Sequence, residues 1–155
     1  MPSHLLGIIS DTHGLLRPSV LQALGGVDLI VHAGDLGNHE TLEALQKLAP
    51  LRAVRGNVDH GEWADGLAET EVVEVGEVLL YVVHDYFELD LDPKAAGFQA
   101  VIYGHSHQPS IQWQNGVLLL NPGSAGPRRF HLPVSMALLT IEDNRMEPRL
   151  VTLEC

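Results

Sequence analysis

Five times along this chain a short apolar run ends on a residue with metal-binding or hydrogen-bonding chemistry. Leu5–Ile9 runs into Ser10-Asp11-Thr12-His13-Gly14, and Asp28–Ala33 runs into Gly34-Asp35. Leu51–Val54 leads to Arg55-Gly56-Asn57-Val58-Asp59, Val78–Val83 ends on His84, and Ala100–Tyr103 leads to Gly104-His105-Ser106-His107. Runs this short, bounded by glycine and polar residues, fit strands buried on both faces. Two helical patterns lie between the first three. One is Arg17–Leu24, with Pro18 tolerated in its first turn; the other follows Asn38 as N-cap, with Leu42, Leu45, Leu48 and Ala49 on one face to about Pro50. Strands alternating with helices imply parallel βαβ units. In such sheets ligands bind beyond the carboxyl ends of the strands, so the polar residues above would converge on one crevice. Glycines at 14, 34, 56 and 104 let the backbone turn sharply beside them.

The second half reads as antiparallel β. Glu71–Val75 and Val78–His84 flank Gly76-Glu77, and Ile111–Gln114 and Val117–Asn121 flank Asn115-Gly116, the strongest two-residue hairpin signal in the chain. Asp92–Gly97 is expected as a short helix, and Ser135–Ile141 and Arg149–Glu154 as closing strands joined across Asp143-Asn144. These are too many strands for one small sheet. The fold class expected is therefore α/β passing into an α+β sandwich: two sheets packed face to face with helices outside.

At 155 residues and 45% apolar, the chain has the length and core of one domain, expected over residues 1–155. No apolar run approaches the roughly 18 residues of a membrane span, and Met1-Pro2-Ser3-His4 shows no signal-peptide character. The lone Cys155 fits a reducing cytoplasm. Nine Lys+Arg against 20 Asp+Glu leave a net charge of −11, which repels duplex nucleic acid and anionic membrane. A phosphate-bearing small molecule is not excluded where the site carries its own cations.

The strand-end residues comprise imidazoles, two carboxylates and an amide, with no thiolate. Such a set suits Mn, Fe, Zn, Ni or Co, with manganese the first choice, and argues against an iron–sulfur or thiolate zinc site. Seven donors exceed one tetrahedral ion and fit two ions about 3.5–4 Å apart sharing a carboxylate. The natural chemistry of such a pair is hydrolysis of a phosphate ester.

Asp11-Thr12-His13, Gly34-Asp35, Gly56-Asn57, His84 and Gly104-His105-Ser106-His107, in this order, resemble the motif set of the calcineurin-like metallophosphoesterases. The short length and Asn121-Pro122-Gly123-Ser124 resemble the small bacterial and archaeal phosphodiesterases of that superfamily. The resemblance spans about Leu5 to Ser124 and implies a four-layer αββα sandwich with two mixed sheets. It implies Asp11, His13 and His107 on a first metal, Asn57, His84 and His105 on a second, and Asp35 bridging them. A metal-bridging hydroxide would attack a phosphodiester in line with the leaving group, with Asn57, Asp35 and His105 at the reacting centre and Asn57 touching a phosphate oxygen.

Two positions depart from the family pattern. Val58 stands where many members carry His, and valine can supply no proton; a bias towards good leaving groups, or a lower rate, is expected. Asp85 stands where Gly is usual, and would disturb the loop or support His84. Asp59 is expected to orient His13 or Asn57. Among the other histidines, His32 is expected in the core, and His4, His39, His60 and His131 on the surface, His39 nearest the site. Arg128-Arg129 reads first as a solvated pair and second as a phosphate contact, and Tyr86 and Phe87 are placed to line a pocket. The alternative function is a catalytically weak or inactive protein-binding scaffold on the same fold. A metal-free nucleotide- or flavin-binding protein is disfavoured, because no Gly-x-Gly-x-x-Gly follows the first strand. Exposed hairpin edges would allow a homo-oligomer.

Overall fold

A computed structural model describes residues 3–129 and 131–153. Cys155, and with it the compartment argument, lies outside the described residues. Among the described residues, ten strands form two five-stranded sheets. The first has the order β10-β9-β1-β2-β3, built from β1 (Ser3–Ile9), β2 (Leu29–His32), β3 (Leu51–Ala53), β9 (Ser135–Glu142) and β10 (Arg145–Thr152). The second has the order β4-β5-β6-β8-β7, built from β4 (Thr70–Val75), β5 (Val78–Val83), β6 (Ala100–Ile102), β7 (Ser110–Gln114) and β8 (Val117–Asn121). Both sheets are mixed. Strands β1, β2 and β3 run parallel, as do β5, β6 and β8, and antiparallel strands complete the edges. Among the described residues, no helix is long and apolar enough to cross a membrane.

The sheets pack face to face. Leu6, Ile8 and Val31 from one meet Leu80, Val82, Ile102 and Leu120 from the other, all fully buried. The outer face of the first sheet buries Ile9 and Ile30 against Val20 and Leu24 near α1 (Pro18–Ala23) and Leu45 of α2 (His39–Gln46). Pro18 opens α1, where its missing N–H costs nothing, and Asn38 caps α2 by accepting from Thr41 N–H at 2.9 Å. The outer face of the second sheet is covered by Tyr86, Leu89, Leu91 and Phe98 instead of a helix.

The expected helix over Asp92–Gly97 is a turn, closed by Ala96 N–H to Asp92 C=O and Phe98 N–H to Pro93 C=O. Pro93 and Gly97 frame too short a segment to propagate a helix. The last strand starts at Arg145, not Arg149, because Asp143 and Asn144 both adopt positive φ (52° and 63°) and make a two-residue turn. Pro148 is tolerated there because β10 is an edge strand.

Candidate metal centre

The carboxyl ends of β1, β2, β3, β5 and β6 point to one edge of the sandwich and deliver the polar residues of both sheets to one place. Asp11, Asp35, His84 and His107 are buried there; His13 is partly buried, and Asn57 and His105 are exposed. The cluster therefore has a dry inner half and an outer half open to solvent. Asp11, His13, Asp35, His105 and His107 all hold φ between 47° and 71°. Non-glycine residues in this region carry strain that the surroundings must hold, and such strain gathers at functional sites.

The donor atoms face one another with few protons to share. Asp11 Oδ2 accepts from Ser10 Oγ at 2.6 Å and from His105 N–H at 3.1 Å. Its Oδ1 is buried with no hydrogen-bond partner among the described residues, yet the Nε2 atoms of His107, His13 and His84 stand 3.3, 3.7 and 3.9 Å away. His13 and His107 bring their Nε2 atoms within 3.4 Å of each other. Asp35 Oδ1 accepts from Val58 N–H, while Oδ2 lies 3.1 Å from His84 Nε2 and 3.7 Å from His13 Nε2. Asn57 Oδ1 is 3.0 Å from His84 Nε2 and 3.3 Å from His105 Nδ1. His84 donates its Nδ1 proton to Ala33 C=O at 2.7 Å, which aims Nε2 into the cluster.

Electrostatics without an ion reflect this crowding. Burial pushes the Asp11 carboxyl up, but His107, His13 and His84 outweigh it and hold the group far below the ordinary carboxylate range. Asp35 is also lowered: its burial is opposed by the His84 hydrogen bond and the Val58 amide. Burial lowers His84, yet the Asp35 hydrogen bond and the Asp11 charge carry it to about 9. A divalent ion held by these side chains would supply that positive charge in place of the proton. Asp11, His13 and His107 present ligand atoms within 4.8 Å of one another, as do Asp11, Asp35 and His84. The orphaned Asp11 oxygen and the sulfur-free donor set fit a divalent transition metal.

Glycine serves the centre in two ways. Gly14 and Gly34 adopt positive φ, as turns require. Gly56 and Gly104 are needed instead for close approach: a Cβ on Gly56 would collide with Asp35, and one on Gly104 with Ser10 Oγ and Asp11.

Several supporting residues act differently from the sequence expectation. Asp59 orients neither His13 nor Asn57 through their side chains. Its buried carboxylate accepts the N–H groups of Asp35, Leu36, Gly37 and Gly56, locking the Asp35 loop to the Asn57 loop. Asp85 faces His105 Nε2 at 3.8 Å and accepts from Phe87 N–H; it does not support His84. Asn121-Pro122-Gly123-Ser124 is more than a turn. Asn121 Nδ2 donates to Gly104 C=O and Ser106 Oγ, and Ser124 Oγ donates to Asp11 C=O, so the end of β8 clamps two ligand loops. His32 is a core residue, accepting from Gly34 N–H and bonding Thr12 Oγ1 at 3.0 Å. His39 is paired with Glu43 on α2, and His60 and His131 are exposed. Arg128 and Arg129 are exposed and line neither cavity beside the centre. Those cavities bring in Arg55, which sequence reasoning did not single out although it directly precedes Gly56-Asn57.

Two mixed sheets, with a cluster of Asp, His and Asn at their shared strand ends, define a metal-dependent phosphoesterase fold. The chain belongs to the calcineurin-like phosphoesterase superfamily, whose domain model matches residues 5–144. It is 36% identical to a protein of Methanocaldococcus jannaschii named "Probable metallophosphoesterase", over 97% of this chain and 82% of that one. A second protein of that archaeon, named a phosphodiesterase, is 28% identical over 76% of this chain and 82% of its own length. Among solved structures, the zinc complex of Vps29 from Entamoeba histolytica superposes with a TM-score of 0.71 at 25% identity, covering 96% of this chain and 98% of that one.

Proposed function

We propose that this chain, acting as one domain over residues 1–155, hydrolyses a small-molecule phosphodiester at a dinuclear centre. Asp11, His13 and His107 would hold one divalent ion, Asn57, His84 and His105 a second, and Asp35 both. The observation that carries this reading is the position of Asp35 Oδ2, with His84 Nε2 at 3.1 Å on one side and His13 Nε2 at 3.7 Å on the other. Manganese is the metal proposed first, with Fe, Zn, Ni and Co as alternatives, and the cytoplasm is the proposed compartment. Two such ions, when bound, polarise a phosphoryl oxygen and lower the pKa of water to near neutrality.

The chain's own residues supply the rest. The buried half of the cluster excludes water, and the exposed Asn57 and His105 leave the outer half open for a substrate. The Asn57 amide has N–H groups to offer a phosphate oxygen. Val58 gives its backbone N–H to Asp35, and its side chain brings no proton to the leaving group. Among the described residues, Arg55 is the one Lys or Arg lining the two cavities at the centre, which suits the single charge of a diester better than a monoester dianion. The M. jannaschii relative named a phosphodiesterase supports the same choice.

The test is to strip the protein of metal and assay bis-p-nitrophenyl phosphate beside p-nitrophenyl phosphate, with and without Mn²⁺. Activity restored by Mn²⁺ and stronger on the diester is expected. Bound metal with no turnover of either ester would overturn the reading in favour of a binding scaffold, the alternative that likeness to Vps29 keeps open.

A further inference from the structure

A cavity of about 420 Å³ opens beside the exposed half of the centre. His105 and Asp85 line both it and a smaller cavity of about 200 Å³ that contains Asn57 and His84. The His105 imidazole thus stands as a partition: its Nδ1 edge faces Asn57 Oδ1 and His84 Nε2, both at 3.3 Å, and its Nε2 edge faces Asp85. A phosphate ester held at the donor cluster would have the larger cavity within reach of one substituent, across this ring.

The lining states what that substituent is. Tyr86 and Tyr103 pack with ring centroids 5.1 Å apart, and the Phe87 ring stands edge-on to Tyr86 at 6.4 Å. Phe87 is 94% exposed, yet its backbone is held by Asp85 Oδ1 and a single 3₁₀ turn over Tyr86–Glu88. An uncovered aromatic ring whose backbone is held at a cavity mouth offers a face for stacking. Gln108 and Gln112 contribute amides that both donate and accept. Among the described residues, no Lys or Arg lines this cavity, so it suits a neutral group, leaving the phosphate at the centre. An acyl chain would make no use of the amides. A planar ring with a hydrogen-bonding edge uses both the amides and the rings.

Building on the phosphodiesterase reading, we propose that this cavity binds the nucleobase of a nucleoside phosphodiester, stacked on the exposed face of Phe87 beside Tyr86 and read by Gln108 and Gln112. Asp85, which stands where the family usually has glycine, then acts as a positioning residue: its carboxylate fixes the Phe87 backbone between the cavity and His105.

Two measurements separate this site from the activity it rests on. Thymidine, which carries no phosphate, is titrated into the metal-free protein by calorimetry or NMR. Saturable binding is expected, weakened about tenfold by Phe87→Ala, in line with stacking of a single base. No binding, or equal binding by both proteins, overturns the base site. With Mn²⁺ present, kcat/KM is compared for the p-nitrophenyl ester of thymidine 5′-phosphate and for methyl p-nitrophenyl phosphate, which share a leaving group. The wild-type ratio is expected to favour the nucleoside ester by at least about tenfold, and Phe87→Ala to bring it towards one; an equal ratio in both proteins overturns the proposal. Thymidine binding with neither ester turned over would keep the base site and overturn the hydrolytic reading instead.

Discussion

Asp35 is the residue on which the proposed centre turns, because one of its oxygens faces imidazoles from both halves of the cluster. Asp35→Asn replaces that carboxylate by an amide and is expected to lower kcat/KM by well over the 10–100-fold typical of a supporting residue. Steady-state assays with Mn²⁺ check this, and near-full activity would show that Asp35 does not bridge. His32 makes a separate prediction. Burial holds its pKa at about 4, below the usual 6.5, so between those values the unfolded chain takes up a proton that the folded chain refuses. Stability is then complete above pH 6.5 and falls as the pH drops towards 4, by up to roughly 3 kcal/mol. His32→Asn keeps an acceptor for Gly34 N–H, and in urea unfolding should lose less stability than wild type across that window. The strand-end residues were legible in the sequence because each follows an apolar run and carries its own chemistry. The partners of Asp59 were not, since its carboxylate binds backbone N–H groups, three of them 22 to 24 residues away, which leave no mark on side-chain identity.

At the scale of elements, the loops after the strands carry the strain and the C-terminal end of β8 restrains it. The hairpins were readable from two-residue turn signals at Gly76-Glu77, Asn115-Gly116 and Asp143-Asn144, and α2 from its Asn38 cap. The Asp92–Gly97 helix was misread because six residues can satisfy a helical pattern without enough hydrogen bonds to hold one. The clamp from Asn121 and Ser124 was not legible in the sequence, because its partners come within reach only when β8 lies beside β6. The Gly104 loop offers a test of this restraint. In Gly104→Ala the new Cβ would stand 2.6 Å from Asp11 Oδ2, after colliding with Ser10 Oγ. Mn²⁺ affinity is expected to fall about 10–100-fold while the circular dichroism spectrum keeps its folded form. Unchanged affinity would show that the loop adapts without moving Asp11.

Across the whole molecule, the first sheet supplies Asp11, His13, Asp35 and Asn57, and the second supplies His84, His105 and His107. Ions bound among them would tie the sheets together at their strand ends. Saturation at 100 times Kd then adds about 2.7 kcal/mol and raises Tm by several degrees, a shift that Asp35→Asn should largely abolish in a thermal melt. Face-to-face packing of two sheets was foreseeable from the number of strands. The covering of the second sheet by a loop was not, because Tyr86, Leu89, Leu91 and Phe98 follow no helical period. The most direct measurement counts Mn²⁺ ions per chain by equilibrium dialysis while following diester hydrolysis in the same samples. Two ions per chain, with turnover rising as the second is taken up, is the predicted result; saturation at one ion, or turnover that ignores metal content, would contradict the dinuclear centre.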